Sequence, residues 1–298
     1  VWECPDFFEI KVEGTKETKW VLIVNLNPGG PNGGSGVQYF VGDFDGKTFT
    51  MDATFAERVK NEKAVWADYG KDNYAGVTWN NVPSSDGRLL FIGWMSNWEY
   101  AQQVPTTTWR SSTTIPRELK LVKKQNHYNL VSTPVKEINN YVAKTIKTKS
   151  KTGKGTLNLI ENGKADLTQT VVSLELKNLK QEDYTFTLSN ANGESLSFGL
   201  NNKENYLFVD RSKAGKIDFS DKFASTVSKA FLEGSQKSAA FKIILDKTSI
   251  EIFYNNGEKV MTEIFFLNKP FSALSISSKE KMEINNFKIQ ELNFSKSH

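Results

Sequence analysis

An all-β fold in two parts is what the sequence predicts, and three observations predict it. Aromatic residues make up 12% of the 298-residue chain, including 20 Phe and 7 Trp, and such residues favour strands. Short β-branched and aromatic runs recur at regular spacing, separated by turns rich in Gly, Asn and Asp. Runs with helical periodicity are few. A chain of this length favours two domains, each able to bury a core.

The first half contains regularly spaced strand patterns. Residues 19–26 (KWVLIVNL) and 37–44 (VQYFVGDF) read as neighbouring strands joined by a glycine-rich segment, 29–36. This segment lacks the Lys-Ser/Thr pair and the following helix of a phosphate-binding loop, so it predicts a hairpin connection. An Asp-Gly pair within 44–49 predicts another tight turn. Further strands, in a spacing that suits a propeller or a sandwich, are expected at 75–79, 88–95 and 109–115.

The composition changes after residue 135. Residues 136–156 are polar and rich in lysine, and we interpret them as a linker between a first unit, 1–135, and a second, 157–298. Alternating runs recur throughout the second unit, and Asn-Asn-Gly at 255–257 predicts a hairpin turn. The second unit is therefore predicted to be a β-sandwich. Within it, 220–234 predicts either a helix or a structured loop.

Composition excludes several classes of function. Lys and Arg number 38 against 34 Asp and Glu, a net charge of +4, and no basic block interleaved with aromatics predicts nucleic-acid binding. No apolar run is long enough to predict a membrane span. A single cysteine, Cys4, excludes an internal disulfide or a cysteine-based zinc site, and His127 and His298 alone nearly exclude a histidine-based triad. Chemistry must then use carboxylates, hydroxyls or amides.

Three carboxylates beside aromatic residues are candidates for catalysis. They are Glu3 in WECPDFF, Asp72 in KDNYAG and Glu99 in SNWEY. Glycoside cleavage needs one carboxyl with a raised pKa and one ionised partner. Apolar neighbours favour the neutral form of an acid, and Glu3 lies between Trp2 and Cys4. Most acids are simply solvated, however, so this local pattern does not assign the role by itself.

Four segments of the first half resemble glycoside hydrolase family 32, and within it the levanases and other fructan β-fructosidases. They are WECPDFFEI (2–10), NPGGPNGGSGVQYFVGDFDGKTF (27–49), DYGKDNYAGVTW (68–79) and GWMSNWEYAQQVPTTTWRSSTTIPREL (93–119). The resemblance covers nearly all of 1–135 in the family's order. The second half is similar to the family's C-terminal sandwich through two packing signatures, 206–215 and 245–266.

The resemblance implies roles for individual residues. The family's Glu-Cys-Pro motif makes Glu3 the general acid/base of a retaining, two-carboxylate mechanism. Asp72 and Tyr74 match the Asp-x-Tyr-Ala segment, where they would line the sugar site and tune the acid through hydrogen bonds. Trp98 would form an apolar wall of the pocket, since an indole suits the C–H surface of a furanose. No metal or organic cofactor is implied, because this mechanism needs none.

Other residues in these motifs are expected to be structural. Trp94 is expected to pack in a strand, and Cys4 to be a small buried side chain that shapes the pocket. Trp109 and Arg110 match the family's Trp-Arg pair. An arginine in such a site often holds a carboxylate, but the sequence names no partner for Arg110.

The resemblance also implies a five-bladed propeller, of which this chain would contain the later blades. Two upstream motifs of the family do not occur in the sequence: Asn-Asp-Pro-Asn, which carries the nucleophile, and Arg-Asp-Pro, which holds sugar hydroxyls. The chain also begins at Val1, inside a predicted strand. We therefore expect a partial polypeptide, inactive alone, whose open strand edges favour self-association or pairing with the missing N-terminal half.

Three functions stay open on the sequence. The first is a glycosidase portion acting on a fructose-containing oligo- or polysaccharide, with levan, inulin and sucrose undistinguished. The second is a carbohydrate-binding or oligomerisation module in the sandwich, although every Trp lies before residue 110, which weighs against an aromatic sugar platform there. The third is a purely structural domain. A polymeric substrate favours an extracytoplasmic location for the full-length protein.

Overall fold

The computed structural model describes residues 1–295, so His298 lies outside it. Nearly all regular structure is β, as predicted, and it forms three antiparallel sheets of four, five and eleven strands. The first two sheets belong to the first unit and are two consecutive propeller blades. The third forms the C-terminal sandwich. No helix within residues 1–295 combines the length and the apolar character needed to cross a membrane.

The first blade is a meander in which each strand pairs with the next one along the chain. The glycine-rich segment joins its second and third strands as the predicted hairpin. A short helix, α1 (Ala53–Glu62), follows the blade and was not predicted; the Asp52 carboxylate caps it by accepting from the backbone N–H groups of Thr54 and Phe55. The four strands are β1 (Trp2–Lys11), β2 (Thr18–Leu26), β3 (Gly36–Phe44) and β4 (Phe49–Met51).

The second blade packs on the first through a shared core. Val21 and Ile23 of the first blade lie in one cluster with Phe91 and Leu121 of the second. The expected strand at 109–115 is reduced to two residues, Ser112–Thr113, which pair with the end of the preceding long strand. The strands are β5 (Tyr74–Thr78), β6 (Leu89–Met95), β7 (Ser112–Thr113), β8 (Arg117–Lys124) and β9 (His127–Pro134).

The C-terminal sandwich is organised around its last strand, a 20-residue strand at Ala273–Leu292. Its first part pairs with one layer and its second part with the other, and both contribute to a single core. A 3₁₀ turn at Asn255–Gly257 makes the predicted hairpin connection. Residues 220–234 contain no helix, only loop and one short strand.

The strands of the sandwich are β10 (Val142–Lys147), β11 (Lys151–Ile160), β12 (Thr170–Lys177), β13 (Asp183–Ser189), β14 (Ser195–Asn201), β15 (Tyr206–Lys213), β16 (Ser228–Phe231), β17 (Ala239–Asp246), β18 (Ser249–Tyr254), β19 (Lys259–Ile264) and β20 (Ala273–Leu292).

The linker interpretation of 136–156 is wrong for most of its length. A 3₁₀ helix, Lys136–Tyr141, is followed by β10 and by the first half of β11, and both strands pair with β20. The lysines suggested a linker because Lys144 and Lys147 of β10 are exposed, and because β10 pairs only with β20 among the described strands. Charged residues are typical of such an edge strand, because they discourage further pairing.

Two buried arginines join the blades to the sandwich. Arg117 of β8 pairs with Glu251 of β18, at 2.5 Å, and with Asp68, at 2.8 Å. Arg211 of β15 pairs with Asp72 and, at 2.9 Å, with Glu263 of β19. Burial raises the pKa of both glutamates, whereas the facing guanidinium groups act in the opposite direction. These contacts fix the segment 68–72 of the first unit against the sandwich.

Candidate active site

Glu3 projects from a bulge near the start of β1. The strand pairs Glu3 with Asn25 of β2 and resumes with Asp6 opposite Ile23, so one extra residue is inserted after Glu3. Cys4 in the bulge has a φ of +44°, which L-residues rarely adopt. The bulge re-aims the end of the strand, and the Glu3 side chain is exposed.

Tyr74 is the direct partner of Glu3. It is the first residue of β5, it is only 2% exposed, and its hydroxyl donates a hydrogen bond to Oε2 of Glu3. Burial raises the pKa of the Tyr74 phenol, and the hydrogen bond to Glu3 raises that pKa further. The phenol therefore stays protonated and donates to the carboxylate throughout the ordinary pH range.

Two indoles extend the site away from Tyr74. Trp94 lies directly opposite Tyr74 in the pairing of β6 with β5, with ring centroids 6.4 Å apart. Trp98 follows in the next loop, 5.1 Å from Trp94, and is 48% exposed. Trp94 packs in its strand as predicted, but it also connects the phenol to the exposed indole. The three rings form a continuous aromatic surface beside Glu3.

The glycine-rich hairpin holds the loop that carries Trp98. The backbone N–H of Trp98 donates to Oγ of Ser35 at 3.0 Å, and the Asn97 amide donates to the carbonyls of Gly33, at 3.3 Å, and Lys71, at 2.8 Å. A Cβ at Gly34, whose φ is +65°, would lie 2.0 Å from Oδ1 of Asn97. Glycine is required there for close approach, so the hairpin supports Trp98 as well as joining two strands.

Asp72 does not line an open sugar site in this structure, contrary to the expectation. It is fully buried, and its carboxylate accepts from Arg211, from the Tyr100 hydroxyl at 2.6 Å and from the Ile264 backbone at 3.0 Å. Because Asp72 is 0% exposed and its carboxylate already accepts from three donors, a sugar hydroxyl does not reach it in this structure. Its effect on Glu3 can only pass through the short segment that ends at Tyr74.

Of two further structural expectations, one needs correction and one agrees with the structure. Cys4 is exposed, because its place in the bulge turns it out of the strand. Arg110 has the structural role that was expected: its guanidinium donates to the backbone carbonyls of Gln102 and Val104, and so stabilises the loop before β7. Among residues 1–295, no group of three or more His, Cys, Asp or Glu side chains is arranged to hold a metal ion.

A separate cavity of about 390 Å³ lies between α1, the β8–β9 hairpin and the sandwich, and Arg58, Phe231 and Tyr254 help to line it. It contains none of the residues around Glu3. We place the candidate active site at the Glu3 cluster because an accessible acid, a protonated donor and an aromatic surface converge there, which is the chemistry that sugar cleavage requires.

Sequence reasoning missed Asn25, Ser35 and Asn97, which support the site without facing it. Ser35 and Asn97 gave no signal, because each lies in a loop, where polar residues are common. Asn25 did give one, because asparagine is disfavoured inside strands and this one interrupts the apolar run of β2.

The two blades and the sandwich place the chain in the propeller–sandwich fold class, and comparison with known proteins identifies the family. The model for "Glycosyl hydrolases family 32 N-terminal domain" matches residues 1–134, and that for "Glycosyl hydrolases family 32 C terminal" matches 136–291. The chain belongs to glycoside hydrolase family 32.

Individual relatives agree. A levanase of Bacillus subtilis is 37% identical over 282 residues, covering 93% of this chain and 40% of the levanase. An extracellular exo-inulinase of Aspergillus niger is 36% identical over 289 residues, covering 93% of this chain and 52% of the relative. The chain thus spans about half the length of the curated relatives that it matches.

Solved structures share the fold. The exo-inulinase from Aspergillus awamori superposes with a TM-score of 0.82 at 28% identity, over 98% of this chain and 57% of the other. A fructofuranosidase from Schwanniomyces occidentalis, complexed with fructosylnystose, superposes with a TM-score of 0.83 at 28% identity, over 98% and 60%.

Proposed function

We propose that this chain supplies the acid/base part of a retaining glycosidase that cleaves β-fructosidic bonds of fructans or of sucrose. The observation that carries the proposal is the hydrogen bond from Tyr74 to Glu3, next to the half-buried indole of Trp94 and the exposed indole of Trp98. Relatives named as levanase and exo-inulinase support the substrate class. Levan, inulin and sucrose all contain the bond in question.

In this proposal, Glu3 protonates the glycosidic oxygen as the bond to fructose breaks, and then removes a proton from the water that releases the sugar. Trp98 contacts the C–H face of the furanose, for which a half-exposed indole is suited. Tyr74 orients the Glu3 carboxyl group, and its hydroxyl donates a hydrogen bond to Glu3 when Glu3 is ionised. Asp72 contributes only by holding the segment that ends at Tyr74.

The second carboxylate of the mechanism is proposed to come from outside these 298 residues. The family's Asn-Asp-Pro-Asn and Arg-Asp-Pro segments do not occur in the sequence. The first blade offers a surface for the polypeptide that would carry them, on the face of the sheet turned away from the second blade. That face, the outer aromatic face, is formed by Trp2, Phe7, Trp20, Phe44 and Phe49.

The outer aromatic face leaves large aromatic side chains exposed, which another polypeptide could cover. Phe7 stacks on Trp20 at 4.7 Å and meets the rings of Phe44 and Phe49 edge-on, yet Phe7 is 36% exposed and Trp2 is 64% exposed. In a propeller, such a face packs against the preceding blade. We propose that it receives the N-terminal half, and that the chain alone is inactive because the covalent step lacks its nucleophile.

Fructose release from levan, inulin and sucrose tests the proposal. The purified chain is expected to release none, and adding the N-terminal half of a family member is expected to restore release. Glu3→Gln should abolish that release, whereas Glu57→Gln, at an exposed glutamate on α1, should leave it unchanged. Release by the unsupplemented chain, or release that survives Glu3→Gln, would refute the assignment.

The full-length protein is proposed to act outside the cytoplasm. The support is that the matching exo-inulinases are named as extracellular and that the expected substrates include polymers. Fractionation of the native host, with the protein found only in the cytoplasm, would contradict the proposed location.

Residues 1–135 and the remainder of the chain are proposed as its two domains, with the boundary at the 3₁₀ helix Lys136–Tyr141.

A further inference from the structure

We propose that Asn25 is the positioning residue that aligns Glu3 with Tyr74 for proton transfer. This inference rests on the proposed function, because it takes Glu3 as the acid/base. Asn25 itself touches neither the carboxyl group nor the expected position of the sugar. It acts through the backbone on both sides of the Glu3–Tyr74 hydrogen bond.

Both members of the pair sit beside a bulge. In β1 one extra residue follows Glu3, and in β5 one extra residue follows Tyr74. The residue immediately after each one, Cys4 and Ala75, has a positive φ, +44° and +50°. Bulges aim side chains out of a regular strand, but such backbone is unfavourable for L-residues and needs support from its surroundings.

Asn25 supplies that support to both bulges at once. Its Nδ2 donates to the carbonyl of Cys4 at 3.0 Å and to the carbonyl of Gly76 at 3.3 Å, and its Oδ1 accepts from the N–H of Gly76 at 3.0 Å. One planar amide thus joins the backbone after Glu3 to the backbone after Tyr74. It also lies directly across from Glu3 in the β1–β2 pairing.

The burial of Asn25 explains why an amide, and not an apolar side chain, is needed at this position. Asn25 is 0% exposed and interrupts the apolar run that forms the rest of β2 after Lys19. Burying an amide is unfavourable unless its polar atoms are hydrogen-bonded, and here both are. A leucine of similar size would fill the space but could not join the bulges. Loss of the amide should therefore leave the strand in place while the two bulges move independently.

Cys4 allows this to be measured without activity, because it is the only cysteine of the chain and its side chain is exposed. A nitroxide spin label on Cys4 reports the mobility of the bulge next to Glu3. Asn25→Leu should give a clearly more mobile spectrum than the unsubstituted chain. Asn25→Asp, which retains the acceptor and loses both donated bonds, should change the spectrum in the same direction and serves if Asn25→Leu does not fold.

Asn202→Leu is the matched control. Asn202 is 1% exposed, and its amide also joins separate segments: it donates to Lys180 at 2.7 Å and to Gln236 at 2.9 Å, and it accepts from the Gln236 N–H at 2.6 Å. Its substitution should lower stability without altering the label on Cys4. Equal spectra for Asn25→Leu and the unsubstituted chain would overturn the proposal.

Kinetics of the chain reconstituted with its N-terminal half test the catalytic consequence. Asn25→Leu should lower kcat about 10- to 100-fold, with KM changed by less than about threefold, because misplacing a catalytic group affects the transition state more than binding. In a Glu3→Gln background the same substitution should cause no further loss, since the two residues act as a unit. Additive losses, or a KM effect alone, would overturn the positioning role.

The two experiments separate the two claims. If the reconstituted protein releases no fructose, the proposed function fails, and the spin label still decides whether Asn25 holds the bulge. If release is normal and depends on Glu3, but Asn25→Leu matches Asn202→Leu in both the label spectrum and kcat, the proposed function stands and the positioning role is wrong.

Discussion

Asp72 and Tyr74 are two residues apart in the chain and serve different parts of the molecule. The Asp72 carboxylate is buried against Arg211 of the sandwich, whereas the Tyr74 hydroxyl reaches Glu3 in the blades. The intervening backbone is therefore held at one end by the sandwich and at the other by the candidate acid. This makes the sandwich part of the structure that places the donor, in addition to enlarging the core.

The first prediction concerns the buried Arg211–Asp72 pair. Arg211→Met should lower the free energy of unfolding by about 3–5 kcal/mol, because it leaves Asp72 and Glu263 buried without their cation. Urea unfolding followed by circular dichroism measures the change. Arg88→Met is the control, since Arg88 pairs with Asp86 and Glu137 near the surface, and its loss should be much smaller. Equal effects would show that the interface pair is not a principal support.

The second prediction concerns the exposed indole. Trp98→Ala should weaken binding of a fructo-oligosaccharide about 2- to 10-fold, corresponding to about 0.5–1.5 kcal/mol of lost aromatic contact. Calorimetric titration with the Glu3→Gln form of the reconstituted protein avoids turnover. Trp109→Ala removes an indole of similar exposure, 45% against 48%, outside the aromatic surface. Should both substitutions weaken binding equally, the wall is not formed by Trp98.

The third prediction concerns acid stability of the sandwich. Burial of Glu194 opposes ionisation, but hydrogen bonds from Asn190, Asn268 and the Lys269 backbone outweigh it and lower its pKa below the usual 4.5. A depressed carboxyl pKa contributes stability that is present above the unfolded value and is lost as pH falls through the folded one.

Glu194→Gln should therefore lower the melting temperature at pH 7 and have a smaller effect below pH ~3, where the native carboxylate also takes up its proton. Thermal unfolding at the two pH values measures this difference. Glu161→Gln, at an exposed turn, should have little effect at either pH. A constant difference between Glu194→Gln and the unsubstituted chain at all pH values would contradict the account.

The fourth prediction concerns the outer aromatic face. Phe7→Ser should weaken association with the N-terminal half. We expect the N-terminal half to cover the outer aromatic face, and Phe7 contacts three of the other rings of that face. Analytical ultracentrifugation measures the association. Phe231→Ser, which removes a 66% exposed ring from the sandwich, is the control and should have no effect. If Phe231→Ser weakens association and Phe7→Ser does not, the N-terminal half binds elsewhere.

The sequence was informative about the candidate site where a residue's role is marked by the few residues next to it in the chain. Glu3, Tyr74 and Trp98 are carried by local motifs, and the structure brings them together from β1, β5 and the loop after β6 in adjacent blades. Alternation likewise predicted most strands, because their buried faces are apolar. The role of Asp72 was misjudged, since its neighbours in sequence gave no sign of the arginine 139 positions away.

Elements with polar composition were the ones that sequence reasoning failed to place. The lysines of β10 indicated a linker because most side chains of this strand are exposed and, among the described strands, it pairs with β20 alone. Helix α1 was missed because only Phe55 and Arg58 among its residues are buried, which leaves a weak apolar stripe. The role of Asn25 depends on two bulges from different sheets, and no local pattern records their proximity.

The most direct test of the central claim, that Glu3 is the acid/base, compares two leaving groups. In the reconstituted protein, Glu3→Gln should nearly abolish cleavage of sucrose, whose leaving sugar needs a proton. An aryl β-fructofuranoside needs no such help, so it should give a rapid burst of phenol equal to the enzyme concentration, followed by slow turnover as water attacks without its base. Equal losses on both substrates, with no burst, would contradict the assignment of Glu3.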